Sequence, residues 1–377
     1  MPFEDGVFLN VSGATSAAAG QTIQSVVWNN IHSDYSGALN VLADQQAGTP
    51  SFKNIVWMNG GFEIWQRGDI SVPASDNLYT SDRWYLAVNA NQDSTVTDQT
   101  GLSDTSALCA RVQRTAGQTG TTLCTFGYPL DSDECQRLRG KFCYVSFKAR
   151  AGANYSPTSG TISIHLNCGT GTPAKSTAGY TNLTQPIAQS VVLTTTTQTF
   201  QIISSVVVPI TTTQAQVGFT FTPVGTAGAA DYFEVDDVMV VAVPATDIDN
   251  YIPDQYENLP FSVQLKGCMS HFAKTFPYAV AVNYAAGNGQ NSIPIVGQAA
   301  EIEGALWEYP GGPVRINVPA VTLLSILATA STFTGFNGSA SVAATLFGAG
   351  QSNVLITGVP ATTNVAYGIH AVVSAGI

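Results

Sequence analysis

Apolar and polar residues alternate through the middle of the chain, from Asn54 to about Val243, and this period of two predicts β-strands. The clearest candidates are rich in β-branched and aromatic residues: Phe142–Phe147, Thr161–Leu166, Phe200–Val208, Val217–Phe221 and Tyr232–Val241. Turn-rich pieces such as Thr170–Pro173 and Gly225–Gly228 separate them. Strands at this spacing, without helical patterns between them, predict an antiparallel sandwich, and we expect a jelly roll.

A different period appears near the N-terminus, where apolar side chains recur at helical spacing: Trp28, Ile31, Tyr35, Ala38, Leu39 and Leu42. Ser25 is a suitable N-cap, and the helix should end by Gly48. A single amphipathic helix cannot bury its own apolar stripe. We therefore expect it to pack on a neighbouring domain, on sister chains or on another protein.

These patterns predict a mainly β protein in four parts. They are an N-terminal attachment segment with one helix (1–53), a central antiparallel jelly-roll sandwich (54–245), a linker (246–265) and a C-terminal β-sandwich domain (266–377). A short helical stripe, Leu265–Phe276, opens the C-terminal part. Strand-like runs such as Val354–Ile356 and Ile369–Val373 follow it.

Charge is scarce and unevenly placed. Charged residues make up 10% of the chain, the net charge is −11, and 41 Thr and 30 Ser supply much of the polarity. So few basic residues argue against binding to nucleic acid or to anionic lipid. No apolar run is long enough to predict a membrane span. Beyond Arg315 the side chains carry no charge, which predicts a surface covered by sister subunits or a neutral outer surface.

Six cysteines are present, at positions 109, 124, 135, 143, 168 and 268. Their spacing matches neither a CxxC pair nor a zinc site. We therefore expect buried free thiols, in a chain made in a reducing cytoplasm.

Four segments resemble parts of a domain that recurs in bacteriophage tail-fibre and virion appendage proteins. They are Asn59–Gly68 (NGGFEIWQRG) with Tyr79–Trp84 (YTSDRW), Tyr232–Val240, and Lys266–Phe272. The resemblance implies a jelly roll that looks like a carbohydrate-binding module, followed by a short helix. It also implies a trimeric fibre protein that docks on other virion proteins through its N-terminal segment.

The motif residues have two readings. In the structural one, Phe62, Ile64 and Trp84 fill the sandwich, and Arg67 pairs with Asp82. In the functional one, aromatic rings stack on sugars. The glycan-binding candidates are Trp65, Tyr85, Trp307 and Tyr309. In an extended strand, Phe62 and Ile64 would share one face and Glu63 and Trp65 the other, so Trp65 could point outward.

A structural calcium ion is a second possibility that the resemblance raises, with Glu63, Asp236 and Asp237 as oxygen ligands. The alternative is that these carboxylates are solvated at the ends of strands. Adjacent strand residues point to opposite faces, so we expect Asp236 and Asp237 not to converge on one substrate bond. Apart from calcium we expect no cofactor.

Catalytic motifs are missing from the sequence: it contains no GxSxG, HExxH or phosphate-binding loop. We therefore expect a non-enzymatic structural component of a phage virion, in a fibre or appendage, that contributes to binding of a host-surface glycan. One alternative is a head or neck decoration protein without receptor binding. The other is a polysaccharide-degrading fibre enzyme.

Overall fold

The computed structural model describes residues 53–246, 255–275 and 278–279, and seven C-terminal stretches: 293–296, 303–309, 320–325, 332–335, 341–349, 353–358 and 366–374. All of them belong to one compact unit, Lys53–Ile377. The predicted N-terminal helix falls outside these residues. The mainly β class and the antiparallel sandwich are confirmed, and the described part of the chain contains two α-helices. Neither of these helices is long and apolar enough to cross a membrane.

Twelve strands form the sandwich, and all pair antiparallel: β1 Ile70–Val72, β2 Asn77–Tyr79, β3 Tyr85–Ala87, β4 Ser94–Thr100, β5 Leu108–Arg114, β6 Cys124–Leu130, β7 Phe142–Ala151, β8 Thr161–Thr170, β9 Thr181–Val192, β10 Gln198–Ile203, β11 Gln214–Phe221 and β12 Tyr232–Val243. The back sheet has the order β1-β4-β5-β12-β7-β10, and the front sheet has the order β2-β3-β6-β11-β8-β9. The five predicted strands correspond to β7, β8, β10, β11 and β12. The predicted strand Phe200–Val208 was too long at its C-terminal end. Strand β10 stops at Ile203, which pairs with Tyr144 near the start of β7.

Alternation along the strands sends one set of side chains into the space between the sheets. On β8 these are Ile162, Ile164 and Leu166, while the residues between them face away. Aromatic rings fill the centre: the Trp84 ring lies 5.0 Å from both Phe62 and Phe126, in tilted and stacked arrangements respectively. Phe62 and Trp84 are thus core residues, as the structural reading of the motif predicted.

Two helices flank the sandwich. Helix α1, Ser132–Leu138, begins with a capping box in which Asp131 and Glu134 bond each other's backbone N–H groups. Helix α2, Phe261–Met269, begins inside the predicted linker (246–265) and earlier than the predicted stripe. The predicted helix was too long at its other end, because the chain turns at Ser270 and enters a strand at Phe272.

The described strands of the C-terminal part belong to one hydrogen-bonded sheet: β13 Phe272–Lys274, β14 Ile293–Val296, β15 Glu303–Glu308, β16 Ala320–Ser325, β17 Thr332–Gly335, β18 Ser341–Ala349, β19 Asn353–Gly358 and β20 Ala366–Ser374. Strand β20 pairs with four of them, β13, β14, β16 and β17.

All six cysteines are buried and free, as the sequence predicted. Burial raises the pKa of Cys124 and Cys168 to about 12, so these thiols stay protonated at neutral pH.

Candidate functional site

The NGGFEIWQRG motif holds a loop together. The Asn59 amide donates to the carbonyls of Ile64 and Asp82, and its oxygen accepts the Ile64 N–H. The Gln66 backbone and side chain both donate to the buried Asp82 carboxylate. Arg67 lies 3.7 Å from the same carboxylate, so the predicted Arg67–Asp82 pair is present. This network gives the motif a structural role.

Trp65 lies in the core and not on the surface. It is 3% exposed, and its indole N–H donates to the Phe62 carbonyl. The expected alternation fails because Phe62 has a φ of 54°, so residues 62–65 are not an extended strand. Because the Trp65 ring is packed within the core cluster of the sandwich, it offers no face to a sugar in this structure.

The other three aromatic candidates have different surroundings. Tyr85 is 0% exposed, and its hydroxyl bonds the Gln216 side chain at 2.8 Å. In the C-terminal part, Trp307 is half-buried and packs edge-on against Tyr309, which is itself buried and donates to the Asn353 carbonyl. The structure brings Trp307 and Tyr309 together as a pair.

Asp236 and Asp237 bind the same loop, which corrects the expectation that they point apart. A β-bulge interrupts β12 between Asp236 and Met239, and Asp237 has a φ of 50°. Asp236 accepts the Leu102 N–H at 2.8 Å. Asp237 accepts hydrogen bonds from the hydroxyls of three residues of the same loop, Ser103, Thr105 and Ser106. It also accepts one from the Lys148 ammonium at 2.8 Å.

These donors do not fit a calcium site. Both oxygens of Asp237 already accept hydroxyl or ammonium protons, both oxygens of Asp236 accept backbone N–H groups, and Glu63 Oε1 accepts from Ala107 and Asn258. Burial and the Asp237 charge raise the pKa of Asp236 to about 7. For Asp237, burial alone would raise the pKa, but its donors outweigh burial and lower it. Within the described residues, no group of three His, Cys, Asp or Glu side chains is placed to hold a metal.

An open groove of about 780 Å³ crosses the outer face of the front sheet, on the side away from the core. Its lining is dominated by hydroxyl and amide side chains, with Asp76 as the one carboxylate among the described lining residues: Ser75, Asp76, Asn77, Ala87, Val88, Asn89, Leu123, Thr125, Ser163, Ile164, His165, Asn167, Ser176, Thr177, Gln185, Ala188, Gln189, Ser190 and Thr220. The volume is within the range of small-molecule sites.

Strand register sets the lining in rows. Thr125, Thr220, Ser163 and Ser190 are consecutive partners across β6, β11, β8 and β9, so four hydroxyls lie side by side. The Ser163 and Ser190 hydroxyls bond each other at 2.7 Å, and the Gln185 amide donates to Asn167 at 2.8 Å. Fixed hydroxyls and amides of this kind can both donate to and accept from a polar ligand.

The next row contains the facing glycines Gly127 and Gly218 between Tyr85 and His165, and neighbouring side chains cover both glycines. A Cβ on Gly218 would come within 3.2 Å of His165 Nε2, so this nitrogen lies over the glycine. His165 Nε2 is buried and has no hydrogen-bond partner in the structure. Burial lowers the pKa of His165 to about 4, so the imidazole is neutral at physiological pH.

The back sheet carries the charge that the groove lacks. Glu234, which is fully buried, lies between two guanidinium groups on its outer face: Arg111 donates to one carboxylate oxygen and Arg150 to the other. Arg111 also lies over the Tyr232 ring at 4.1 Å. The two outer faces of the sandwich therefore present different chemistry.

The sequence analysis missed the groove residues. The alternation on β8 was a usable signal, since it places Ser163, His165 and Asn167 opposite the apolar residues. The hydroxyls of β6 and β11 become neighbours of these β8 residues only because β6, β11 and β8 lie side by side in the front sheet. The sequence does not reveal this strand order.

No family model matches the chain, and no curated protein matches it significantly. Among solved structures, a CBM4 carbohydrate-binding domain is 23% identical over 49% of this chain and 97% of its own, with a TM-score of 0.31. The CBM22-1 xylan-binding domain from Paenibacillus barcinonensis Xyn10C is 12% identical over 49% of this chain and 93% of its own, with a TM-score of 0.31.

The enzymatically active domain of tailspike protein 4 of bacteriophage CBA120 is 10% identical, with a TM-score of 0.31. The match covers 51% of this chain and 22% of the tailspike chain. Identities and TM-scores this low carry no conclusion about a ligand or an activity.

Proposed function

We propose that the sandwich binds a neutral glycan in the groove of its front sheet. The observation that supports this is the lining: a groove of about 780 Å³ in which amides and hydroxyls dominate and one carboxylate is present among the described residues. Sugar hydroxyls both donate and accept, and they pair well with side chains that do the same. A charged ligand would instead be matched by charges of opposite sign.

We further propose that the protein is a non-enzymatic component of a phage virion, in a fibre or appendage, and that it binds a host-surface glycan as part of receptor binding. The NGGFEIWQRG and YTSDRW resemblance supports the virion setting. The neutral sequence after Arg315 supports assembly with sister chains, and the fibre resemblance implies that the assembly is a trimer. The N-terminal segment would dock on other virion proteins.

The two alternatives differ in what they require of the groove. A head or neck decoration protein needs no ligand there, so purified protein would not bind host cells. A polysaccharide-degrading enzyme needs two carboxylates about 5 to 10 Å apart on the scissile bond. Asp76 is the one carboxylate among the described groove residues, which favours binding over hydrolysis.

The proposal can be tested by blocking the groove. Thr220 and Thr95 are both half-buried threonines on outward positions, Thr220 in the front sheet and Thr95 in the back sheet. We expect Thr220→Arg to abolish binding to host cells and to a panel of neutral polysaccharides, because the side chain fills the groove. Thr95→Arg is the matched control and should bind as the wild type does. Equal binding by both variants would place the ligand elsewhere.

A further inference from the structure

One end of the groove is crossed by the connection between β8 and β9, residues 171–180, which we call the strap. Its base is tied to β11: the Gly171 N–H donates to Thr213 Oγ1 at 2.7 Å, and Gln214 Nε2 donates to the Thr172 carbonyl at 3.0 Å. Its tip reaches across to β2, where Asn77 Nδ2 donates to Thr177 Oγ1 at 2.9 Å.

Lys175 fixes the strap tip in an aromatic box. Its ammonium lies 4.2 Å from the centre of the Tyr79 ring and 4.8 Å from that of Tyr85. It also donates to the Asn77 carbonyl at 3.0 Å and to the Asn77 side-chain oxygen at 2.9 Å. Cation–π contacts and two hydrogen bonds therefore hold one lysine against two tyrosines.

The strap also covers a donor that has no acceptor. Gln216 Oε1 accepts both the Tyr85 hydroxyl and the Ser176 N–H, each at 2.8 Å, which fixes the orientation of the amide. Its Nε2 is buried and has no hydrogen-bond partner in the structure. A buried donor without an acceptor is costly, and a ligand oxygen at this point would remove that cost.

Several features make the strap suited to opening. Gly171 and Gly179 adopt φ angles of 133° and 83°, which other residues rarely adopt, so both ends can absorb a change in direction. Thr172, Thr177 and Ala178 between them are exposed, and the remaining strap residues between the two glycines are half-buried. Burial, with Arg67 nearby, lowers the pKa of Lys175 to about 8, although Asp76 opposes this. The ammonium is therefore held in the box at a desolvation cost.

The described lining of the groove contains no Phe, Tyr or Trp side chain, yet such rings offer large apolar faces to a bound ring. We propose that the strap closes a further sugar subsite. In this subsite, Tyr79 and Tyr85 form the platform and Gln216 Nε2 donates to the sugar. Lys175 occupies the subsite until a longer glycan displaces it. This inference rests on the proposed function. It extends the groove by one subsite.

The test compares short and long members of a neutral oligosaccharide series by calorimetry. Lys175→Gln removes the ammonium, and Lys266→Gln, an exposed lysine of α2, is the matched control. We expect Lys175→Gln to bind the long oligosaccharide roughly three- to tenfold more tightly, with unchanged affinity for the short one. Adding Tyr79→Ala to Lys175→Gln should cancel the gain.

Hydrogen exchange gives a second readout in the wild-type protein. The Ser176 N–H should lose protection when the long oligosaccharide binds and keep it with the short one. If the wild type binds glycan but Lys175→Gln gains no affinity and Ser176 stays protected, the subsite is wrong and the groove stands. If no variant binds any neutral glycan, both proposals fall.

Discussion

Arg83 donates through Nη2 to Glu134 Oε2 at 2.7 Å, and the two side chains are only 3% and 4% exposed. The same guanidinium bonds His271 Nδ1 at 2.9 Å and the Pro129 carbonyl at 3.0 Å. Glu134 belongs to α1 and His271 follows α2, so one arginine of the YTSDRW motif joins the sandwich to the segment that leads into the C-terminal sheet.

We expect Arg83→Met to lower the free energy of unfolding by about 3–5 kcal/mol, because it leaves the Glu134 carboxylate buried and unpaired. Urea denaturation measures this change. The double variant Arg83→Met/Glu134→Gln should recover part of the loss, since it no longer buries a lone charge. A loss below about 1 kcal/mol, as for an exposed pair, would contradict the prediction.

Asp236 should make stability depend on pH. Its folded pKa of about 7 lies above its unfolded value of about 4, so the folded state holds the extra proton between these two values. The free energy of unfolding of the wild type should therefore fall, relative to Asp236→Asn, as pH rises from about 4 to about 7. Asp104 is an exposed carboxylate of the loop that Asp236 binds, and the free energy of unfolding of Asp104→Asn should follow the pH dependence of the wild type. A parallel pH dependence in wild type and Asp236→Asn would refute the assignment.

Lys148 supplies the positive charge that a metal ion would otherwise bring to Asp237. We expect the melting temperature of the wild-type protein to be the same in calcium and in chelator. Lys148→Gln leaves the Asp237 carboxylate without its cation, and its melting temperature should rise when calcium is added. Lys141→Gln serves as the control. A calcium-dependent rise in the wild type would support the site expected from the sequence.

Glycan affinity should depend only weakly on salt. Ions screen exposed charges over roughly 10 Å at 0.1 M salt, but the groove offers hydroxyls and amides. Calorimetric titrations at low and high sodium chloride should give dissociation constants within about twofold of each other. A steep loss of affinity with salt would point to a charged ligand and to the charged back sheet as its binding face.

The chain should assemble into a homo-oligomer, and we expect a trimer. The side chains after Arg315 carry no charge, and a domain of that size leaves a considerable part of its surface uncovered. Sedimentation at micromolar concentration should give three times the chain mass of 39.5 kDa. A stable, soluble monomer would instead favour a neutral outer surface and the decoration-protein alternative.

The sequence predicted the sandwich because each strand carries its own alternation, as on β8. It predicted core positions for Phe62 and Trp84 because large aromatic side chains are usually buried, and it predicted the Arg67–Asp82 pair from the opposite charges of these two motif residues. It failed at Trp65 and at Asp236–Asp237, where a positive φ breaks the alternation: at Phe62 in one case and at the Asp237 bulge in the other. It missed the groove because Thr125, Thr220 and Ser163 become neighbours only through pairing between distant strands.

The alternation of β8 also separates two kinds of mutation. Ile162, Ile164 and Leu166 hold the sheets together, while Ser163, His165 and Asn167 touch only the groove side. Surface substitutions at half-buried positions such as Ser163 and Asn167 usually change stability by less than about 0.5 kcal/mol, whereas His165 is buried. The outer face of β8 can therefore be diversified at such positions in a library, while the core face beneath it stays unchanged.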